Sequence, residues 1–76
     1  MSLHFTPDGK AWAYVVHANG VDNIWAQPLD GSPAYPITFF SSDQISDFHW
    51  SPNGEKLGLV CGRTDSNVVL IREVNP

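Results

Sequence analysis

A pattern of residue classes occurs twice in this 76-residue chain, at a spacing of 45 residues. The run FTPDGK at residues 5–10 returns as WSPNGE at residues 50–55. From there the two copies align without a gap, as far as Leu29 over Val74. Self-similarity at a fixed spacing of about 20–50 residues is typical of architectures that repeat one supersecondary unit. We therefore expect a fold built from two copies of one unit.

Each copy begins with a turn signal between apolar segments. Proline presets φ, Asp or Asn tolerates a strained backbone, and glycine supplies a positive φ. Such a run between apolar residues predicts a β-hairpin. The predicted structural turn residues are Pro7, Asp8, Gly9, Pro52, Asn53 and Gly54.

Short apolar or alternating segments lie between the turn signals and predict strands. The proline in the fourth segment places it at the edge of its sheet, since proline cannot donate to the strand ladder. No segment has helical periodicity. The predicted strands are Leu3–Phe5, Ala11–Val16, Asn23–Gln27 and Ala34–Thr38, then Ile45–Trp50, Lys56–Cys61 and Asn67–Val74.

The fold class that this pattern predicts is all-β. Four strands in a repeat of about 40–45 residues are typical of a β-propeller blade, and a β-sandwich is the alternative. We expect a propeller fragment of about two four-stranded antiparallel blades, the second without its outermost strand. The first repeat would occupy residues 1–38, with its first strand clipped, and the second residues 39–76, both in one structural unit.

The quoted motifs resemble the WD40-like (PD40, TolB-like) β-propeller repeat, whose core is FSPDGK. Residues 5–10 and 50–55 carry that core, and residues 23–31 with 36–38 resemble the rest of the repeat. The segments 43–50 and 68–72 resemble the C-terminal two blades of a propeller from a bacterial signalling protein. Asn53 and Glu55 depart from the Asp and Lys of the motif, which a hairpin turn tolerates.

The resemblance implies a non-enzymatic interaction or scaffold module cut from a longer bacterial protein. The alternative is a non-catalytic propeller part of a larger enzyme, either a bacterial Ser/Thr kinase or a prolyl-oligopeptidase- or tricorn-type peptidase, or of a TolB-like periplasmic protein. The parent would bind a protein or a small ligand. The localisation of the parent is not predicted beyond the periplasmic or membrane-associated settings in which the family occurs.

Self-association is the expected property of this chain. Complete propellers have about four to eight blades, and a blade buries its faces only against neighbouring blades. A second blade without a fourth strand would also leave an unpaired apolar edge. We expect a homo-oligomer through blade faces and edge strands, either a ring of about three or four copies or an open, domain-swapped assembly. The residues predicted to form these contacts are Phe5, Trp12, Tyr14, Trp25, Trp50, Val68, Val69, Leu70 and Ile71.

Charge and hydropathy argue against two classes of partner. The chain has four Lys and Arg against eight Asp and Glu, and its net charge is −4. The basic residues are scattered, whereas a nucleic-acid interface needs them clustered to displace phosphate counterions. No apolar run approaches the roughly 18 residues that span a bilayer. We expect neither a nucleic-acid nor a membrane partner.

The residues that could carry chemistry form no recognisable catalytic or metal motif. His4, His17, His49 and Cys61 have spacings that match no zinc template. His4 and His49 share one column of the repeat, which leaves a metal or anion site as the alternative to packed histidines. No serine lies in a G-x-S-x-G elbow, and the aspartates are typical of turns. The sequence thus predicts no catalytic residue, no cofactor and no metal ligand.

Aromatic side chains alternate along the predicted strands, which favours packing between blades over a ligand cage. Phe39 and Phe40 are exceptions because they lie in a predicted loop. Exposed, they would form a contact patch; covered, they would belong to the core. Cys61 is predicted to be a small buried hydrophobic residue.

Overall fold

The computed structural model describes residues 3–63 and 66–75, and within them every regular element is a β-strand. The strands are β1 (Leu3–Phe5), β2 (Ala11–Ala18), β3 (Val21–Pro28), β4 (Tyr35–Pro36), β5 (Gln44–Trp50), β6 (Leu57–Arg63) and β7 (Ser66–Val74). They form two antiparallel sheets, one with the order β1-β2-β3-β4 and one with the order β5-β6-β7. The all-β prediction is confirmed, and so is a second sheet with one strand fewer than the first among these residues.

Both proline-containing segments form turns, and the two turns have the same geometry. The Gly9 amide donates to the Thr6 carbonyl at 2.9 Å, and the Gly54 amide donates to the Ser51 carbonyl at 2.8 Å. Both glycines have a positive φ, 72° and 74°, which residues with a Cβ adopt at a cost. Each turn therefore reverses the chain between the first two strands of its sheet.

The first hairpin register repeats without change in the second sheet. Leu3 pairs with Tyr14 and Phe5 pairs with Trp12, and 45 residues later Phe48 pairs with Leu59 and Trp50 with Leu57. Ser46 is an extra residue at a β-bulge in β5, and its Oγ donates to the Val60 carbonyl at 3.2 Å. The repeat seen in the sequence is thus a repeat of strand pairing as far as the second strand of each sheet.

The ungapped alignment of the third strands is wrong. Trp12 pairs with Gln27 in the first sheet. Its counterpart Leu57 pairs with Val74, although the ungapped alignment sets Val74 over Leu29 and not over Gln27. The register of β7 shifts between Gly62 and Arg63, so that two residues of β7 fall outside the ladder. The shift is an even number of residues, so each side chain keeps its face of the sheet.

The fourth strand is shorter than predicted. Only Tyr35 and Pro36 of the predicted Ala34–Thr38 segment pair with β3, opposite Ala26 and Trp25. The next two residues leave the ladder, because the amides of Ile37 and Thr38 both donate to the Ile24 carbonyl. The proline lies on an outer strand, as its missing amide requires.

The core lies between the two sheets. The first sheet contributes small or branched side chains, Ala13 and Ile24, and the second contributes larger ones. Fully buried members of the second sheet are Phe48, Leu57, Leu59 and Cys61. Large side chains of one sheet therefore pack on the small side chains of the other. The burial of Cys61 confirms the prediction for that residue.

Candidate functional site

One face of the first sheet is aromatic and only half-buried. Leu3, Phe5, Trp12, Tyr14 and Trp25 lie on it, because they are cross-strand partners or alternate along their strands. The Phe5 and Trp12 rings stack with their centroids 3.7 Å apart, yet Phe5 is 49% exposed. We call this set of five side chains the aromatic face. It points away from the second sheet, whose core partners are on the opposite side of β2 and β3.

The same columns of the second repeat are buried. Phe48, Leu57 and Leu59 are the counterparts of Leu3, Trp12 and Tyr14, and all three are covered by the first sheet. Trp50, the counterpart of Phe5, packs against the same cluster. The two sheets thus pack through non-equivalent faces. The second sheet uses the face that corresponds to the aromatic face, and the first sheet uses the opposite face, which carries Ala13.

The outer face of the second sheet has small residues along β6 and an exposed isoleucine on β7. Polar and charged side chains flank them, since His49 and Glu73 pair with Gly58 and Asp47 pairs with Val60. Gly58, Val60 and Gly62 alternate along β6, opposite the buried Leu57, Leu59 and Cys61. Ile71 is the cross-strand partner of Val60 and is 84% exposed. We call Gly58, Val60, Gly62 and Ile71 the glycine face. Gly58 and Val60 are the counterparts of Ala13 and Val15, to which the second sheet docks within the chain.

Three more residues of β7 are predicted to form contacts between copies, and the structure describes only their backbone. Val69 and Leu70 pair with Gly62 and Cys61, and Val68 falls within the register shift. Their side chains lie outside the described part of the structure. β7 is bonded to β6 on one side, and no described strand pairs with its other side. We call that side the open edge.

A polar seam joins β3 to the segment that leads into β5. Oδ2 of Asp22 accepts from the Ile45 amide at 3.0 Å, and Oδ1 lies 2.6 Å from Nδ1 of His17. The Thr38 hydroxyl accepts from the Ile24 amide and donates to Asn23, both at 2.9 Å. These bonds satisfy backbone amides that would otherwise be buried without partners. The Thr38 bonds attach the segment after β4 to β3, and the Asp22 bond attaches β3 to β5.

The sequence pattern does not predict this seam. Asp22 and Asn23 lie near the start of β3, just after a turn, where polar residues are ordinary. Only the pairing of β3 with the distant segment 37–45 shows that Asp22 is buried. The strand itself gives one partial signal: adjacent side chains point to opposite faces, so one of these two polar residues is turned to the core if one face of the sheet is covered.

The predicted turn aspartates are confirmed as such for Asp8 and Asp30. Oδ1 of Asp8 accepts from the Thr6 hydroxyl at 2.7 Å and from the Lys10 amide at 2.9 Å. The Thr6 bond is the larger reason why the pKa of Asp8 lies below its ordinary value. Ser32 lowers the pKa of Asp30 in the same way, by its side-chain and backbone hydrogen bonds. Asp43 instead is buried, and its carbonyl accepts from the Asp22 amide.

A groove of about 520 Å³ lies between the two proline turns and β4. Its lining includes Pro7, Tyr35, Phe39, Trp50 and Gly54. Phe39 is 82% exposed, whereas Phe40 packs against the core. The sequence leaves open an exposed patch or a core position for this pair, and each residue takes one of the two. The indole nitrogen of Trp50 is buried and has no hydrogen-bond partner among the described residues.

The histidines fall into two places. His17 lies at the polar seam, while the rings of His4 and His49 approach each other with centroids 5.2 Å apart. Within residues 3–63 and 66–75, no group of three or more His, Cys, Asp or Glu is arranged to hold a metal ion. The hydroxyl of Ser51 bonds to Asn53 and accepts from the Lys56 amide, which is turn chemistry.

No helix of the described residues is long and apolar enough to cross a membrane. Comparison with protein-family models, with curated proteins and with solved structures finds no match to this chain.

Proposed function

We propose that this chain is a non-enzymatic interaction module made of two propeller-type repeats, which assembles head to tail with copies of itself. The observation that carries the proposal is the unequal burial of equivalent columns. Leu57 and Leu59 are buried in the second repeat, while their counterparts Trp12 and Tyr14 are left half-exposed in the first. Within the described part of the chain, no second sheet covers the aromatic face as the first sheet covers its counterpart.

The glycine face of a second copy supplies such a neighbour. Within the chain, large side chains of the second sheet cover Ala13 and Val15 of the first. Gly58 and Val60 occupy the same columns on the glycine face, so they offer small side chains at the equivalent positions, with Glu73 and Asp47 beside them. Aromatic side chains over small residues bury much apolar area, and burial of apolar area drives association.

The turns support the same arrangement. Gly54 lies directly against Pro7 of the preceding repeat, whereas the equivalent space beside Gly9 holds none of the described residues. A copy stacked on the aromatic face would bring its own Pro52 to that space. The open edge of β7 offers a second contact, because unpaired strand edges bond readily to further strands.

Contacts between two different faces are heterologous. Such contacts close into a ring when the rotation between copies allows it, and otherwise continue as a filament. With two repeats per chain, about three or four copies would complete a propeller of usual size. A longer parent chain would use the same two faces to bind its own flanking repeats.

The test is light scattering over a dilution series with three lysine variants. Phe5→Lys alters the aromatic face, Ile71→Lys alters the glycine face, and Phe39→Lys places the same charge on an exposed apolar residue outside both faces. We expect the unaltered chain and Phe39→Lys to form the same discrete oligomer. Each of the other two variants should be monomeric, since burial of a lysine ammonium in the contact costs its hydration.

A mixture of Phe5→Lys and Ile71→Lys distinguishes the proposed contact between unlike faces from a contact between like faces. Each variant keeps one intact face, so an equimolar mixture should form a heterodimer and stop there. A symmetric contact of like faces would leave the mixture monomeric. A monomeric, stably folded unaltered chain would overturn the proposal outright.

A further inference from the structure

Two histidines, one on the first strand of each sheet, bring their imidazole rings close together. His4 is on β1 and His49 is on β5, in the same column of the repeat. Their ring centroids are 5.2 Å apart and the ring planes are inclined by 59°. His4 also lies edge-on to Phe48, with the centroids 4.9 Å apart. The pair therefore bridges two sheets that no backbone ladder of the described residues joins at this point.

The His49 ring is accessible and oriented by a carboxylate. Its side chain is 69% exposed, and its Nε2 lies 3.0 Å from Oδ2 of Asp47. Asp47 is fixed in turn, because its Oδ1 accepts from the Phe48 amide at 2.9 Å. A carboxylate on one ring nitrogen fixes the tautomer and the orientation of the ring, as in carboxylate–histidine–metal units. Nδ1 of His49 is thus prepared to act as a ligand.

The separation of the rings fits one shared ion. With a metal–nitrogen distance of about 2.1 Å and tetrahedral angles, the centres of two imidazoles on one zinc ion lie roughly 5 Å apart. Among the described residues no hydrogen bond engages the His4 ring, so its nitrogens are available to the ion. Imidazole is a preferred ligand of Zn²⁺, Ni²⁺ and Cu²⁺.

We propose that His4 and His49 together bind one divalent transition-metal ion, with Asp47 positioning His49 and water completing the coordination. Two protein ligands make this a weaker site than a closed four-ligand zinc site. The ion would join β1 of the first sheet to β5 of the second. Because a ligand that binds only the folded state stabilises it, the ion would raise the melting temperature of the chain.

The experiment is a titration of the full chain with ZnCl₂, followed by calorimetry and by the NMR signals of the imidazole rings. His17 is a matched control, since it is the third histidine and belongs to the polar seam. We expect one ion per chain, perturbed His4 and His49 signals, and a melting temperature about 5 °C higher at saturation. H4Q and H49Q should each abolish binding, H17Q should leave it unchanged, and D47N should weaken it about tenfold.

Three results would overturn the site. The first is an unaltered chain that binds no Zn²⁺ at millimolar concentration. The second is binding that survives both H4Q and H49Q. The third is equal loss of binding in H17Q and in the other two variants, which would indicate adventitious binding by any exposed imidazole. Circular dichroism of each variant checks that its fold is retained, which matters most for H4Q because the half-buried His4 ring contacts Phe48.

Discussion

Gly54 lies so close to Pro7 that a Cβ built on the glycine would stand 2.8 Å from the Cβ of the proline. The two residues belong to the equivalent turns of the two repeats, so the turns are stacked one upon the other. Gly54 is constrained twice, by this contact and by its φ of 74°. Gly9, its counterpart, has a φ of 72°, but no described atom lies within 4 Å of the corresponding position.

This difference provides a pair of matched substitutions. Gly9→Ala should destabilise the chain by about 1 kcal/mol, because only the left-handed backbone conformation opposes the methyl group. Gly54→Ala should cost a further 1–3 kcal/mol or so, because the methyl group also displaces Pro7. Urea unfolding of both variants measures the difference. Equal destabilisation would mean that the turns do not stack as described.

The buried hydroxyl of Thr38 gives a second prediction. Thr38→Val keeps the shape of the side chain but leaves the Ile24 amide without its acceptor and removes the bond to Asn23. We expect a loss of about 1–3 kcal/mol in the free energy of unfolding. Ser46→Ala, which removes an exposed hydroxyl from its bond to Val60, should change it by about 0.5 kcal/mol or less. A Thr38→Val variant as stable as Ser46→Ala would contradict the hydrogen bonds assigned to Thr38 in the polar seam.

The carboxylate of Asp22 should matter more than the histidine that it contacts. Asp22→Ala removes the acceptor of the buried Ile45 amide, for which we expect a loss of about 1–3 kcal/mol. His17→Ala should cost less, because the ring is 64% exposed and the carboxylate keeps its bond to the backbone. Thermal or urea unfolding of the two variants ranks them. The reverse order would place the stabilising contact at the imidazole.

The lowered pKa values of the turn aspartates lead to a prediction of how stability depends on pH. Hydrogen bonds lower the pKa of Asp8 and Asp30 below the ordinary value of 3.8 in the folded chain. Stability from such groups is fully present above the unfolded pKa and is lost as the pH falls through the folded pKa. We expect the free energy of unfolding to decline below about pH 4, and less steeply in the double variant D8N/D30N. Identical acid profiles would show that these bonds do not form.

The second repeat already contains the neutral form of this turn. Asn53 accepts from the Ser51 hydroxyl at 2.6 Å and from the Glu55 amide at 3.1 Å, as Asp8 does in the first repeat. Asp8→Asn alone should therefore keep the turn and remove only its pH dependence. NMR of the Lys10 amide across the acid range provides the measurement.

Local chemistry by itself determines the hairpins. Proline, a short polar residue and glycine in sequence can form few backbone conformations, so both proline turns are predictable from the residues alone. The turn at Asn19 and Gly20 follows the same rule, with φ values of 54° and 75°. Alternation of side chains fixes which residues of β2 share a face. The sequence repeat likewise predicts the common register of the first two strands of each sheet.

The tertiary structure alone decided what meets across the sheets. Sequence spacing carries no information on which face of one sheet covers another, so the half-exposed aromatic face and the burial of its counterparts are visible only in three dimensions. The register shift in β7, the burial of Asp22 and the different positions of Phe39 and Phe40 depend on contacts between segments far apart in the chain. The same is true of His4 and His49, which share a column in the sequence but whose ring centroids come within 5.2 Å only in the folded chain. Such packing depends on the shape and chemistry of whole sheet faces, and each face forms only when strands from distant parts of the chain pair.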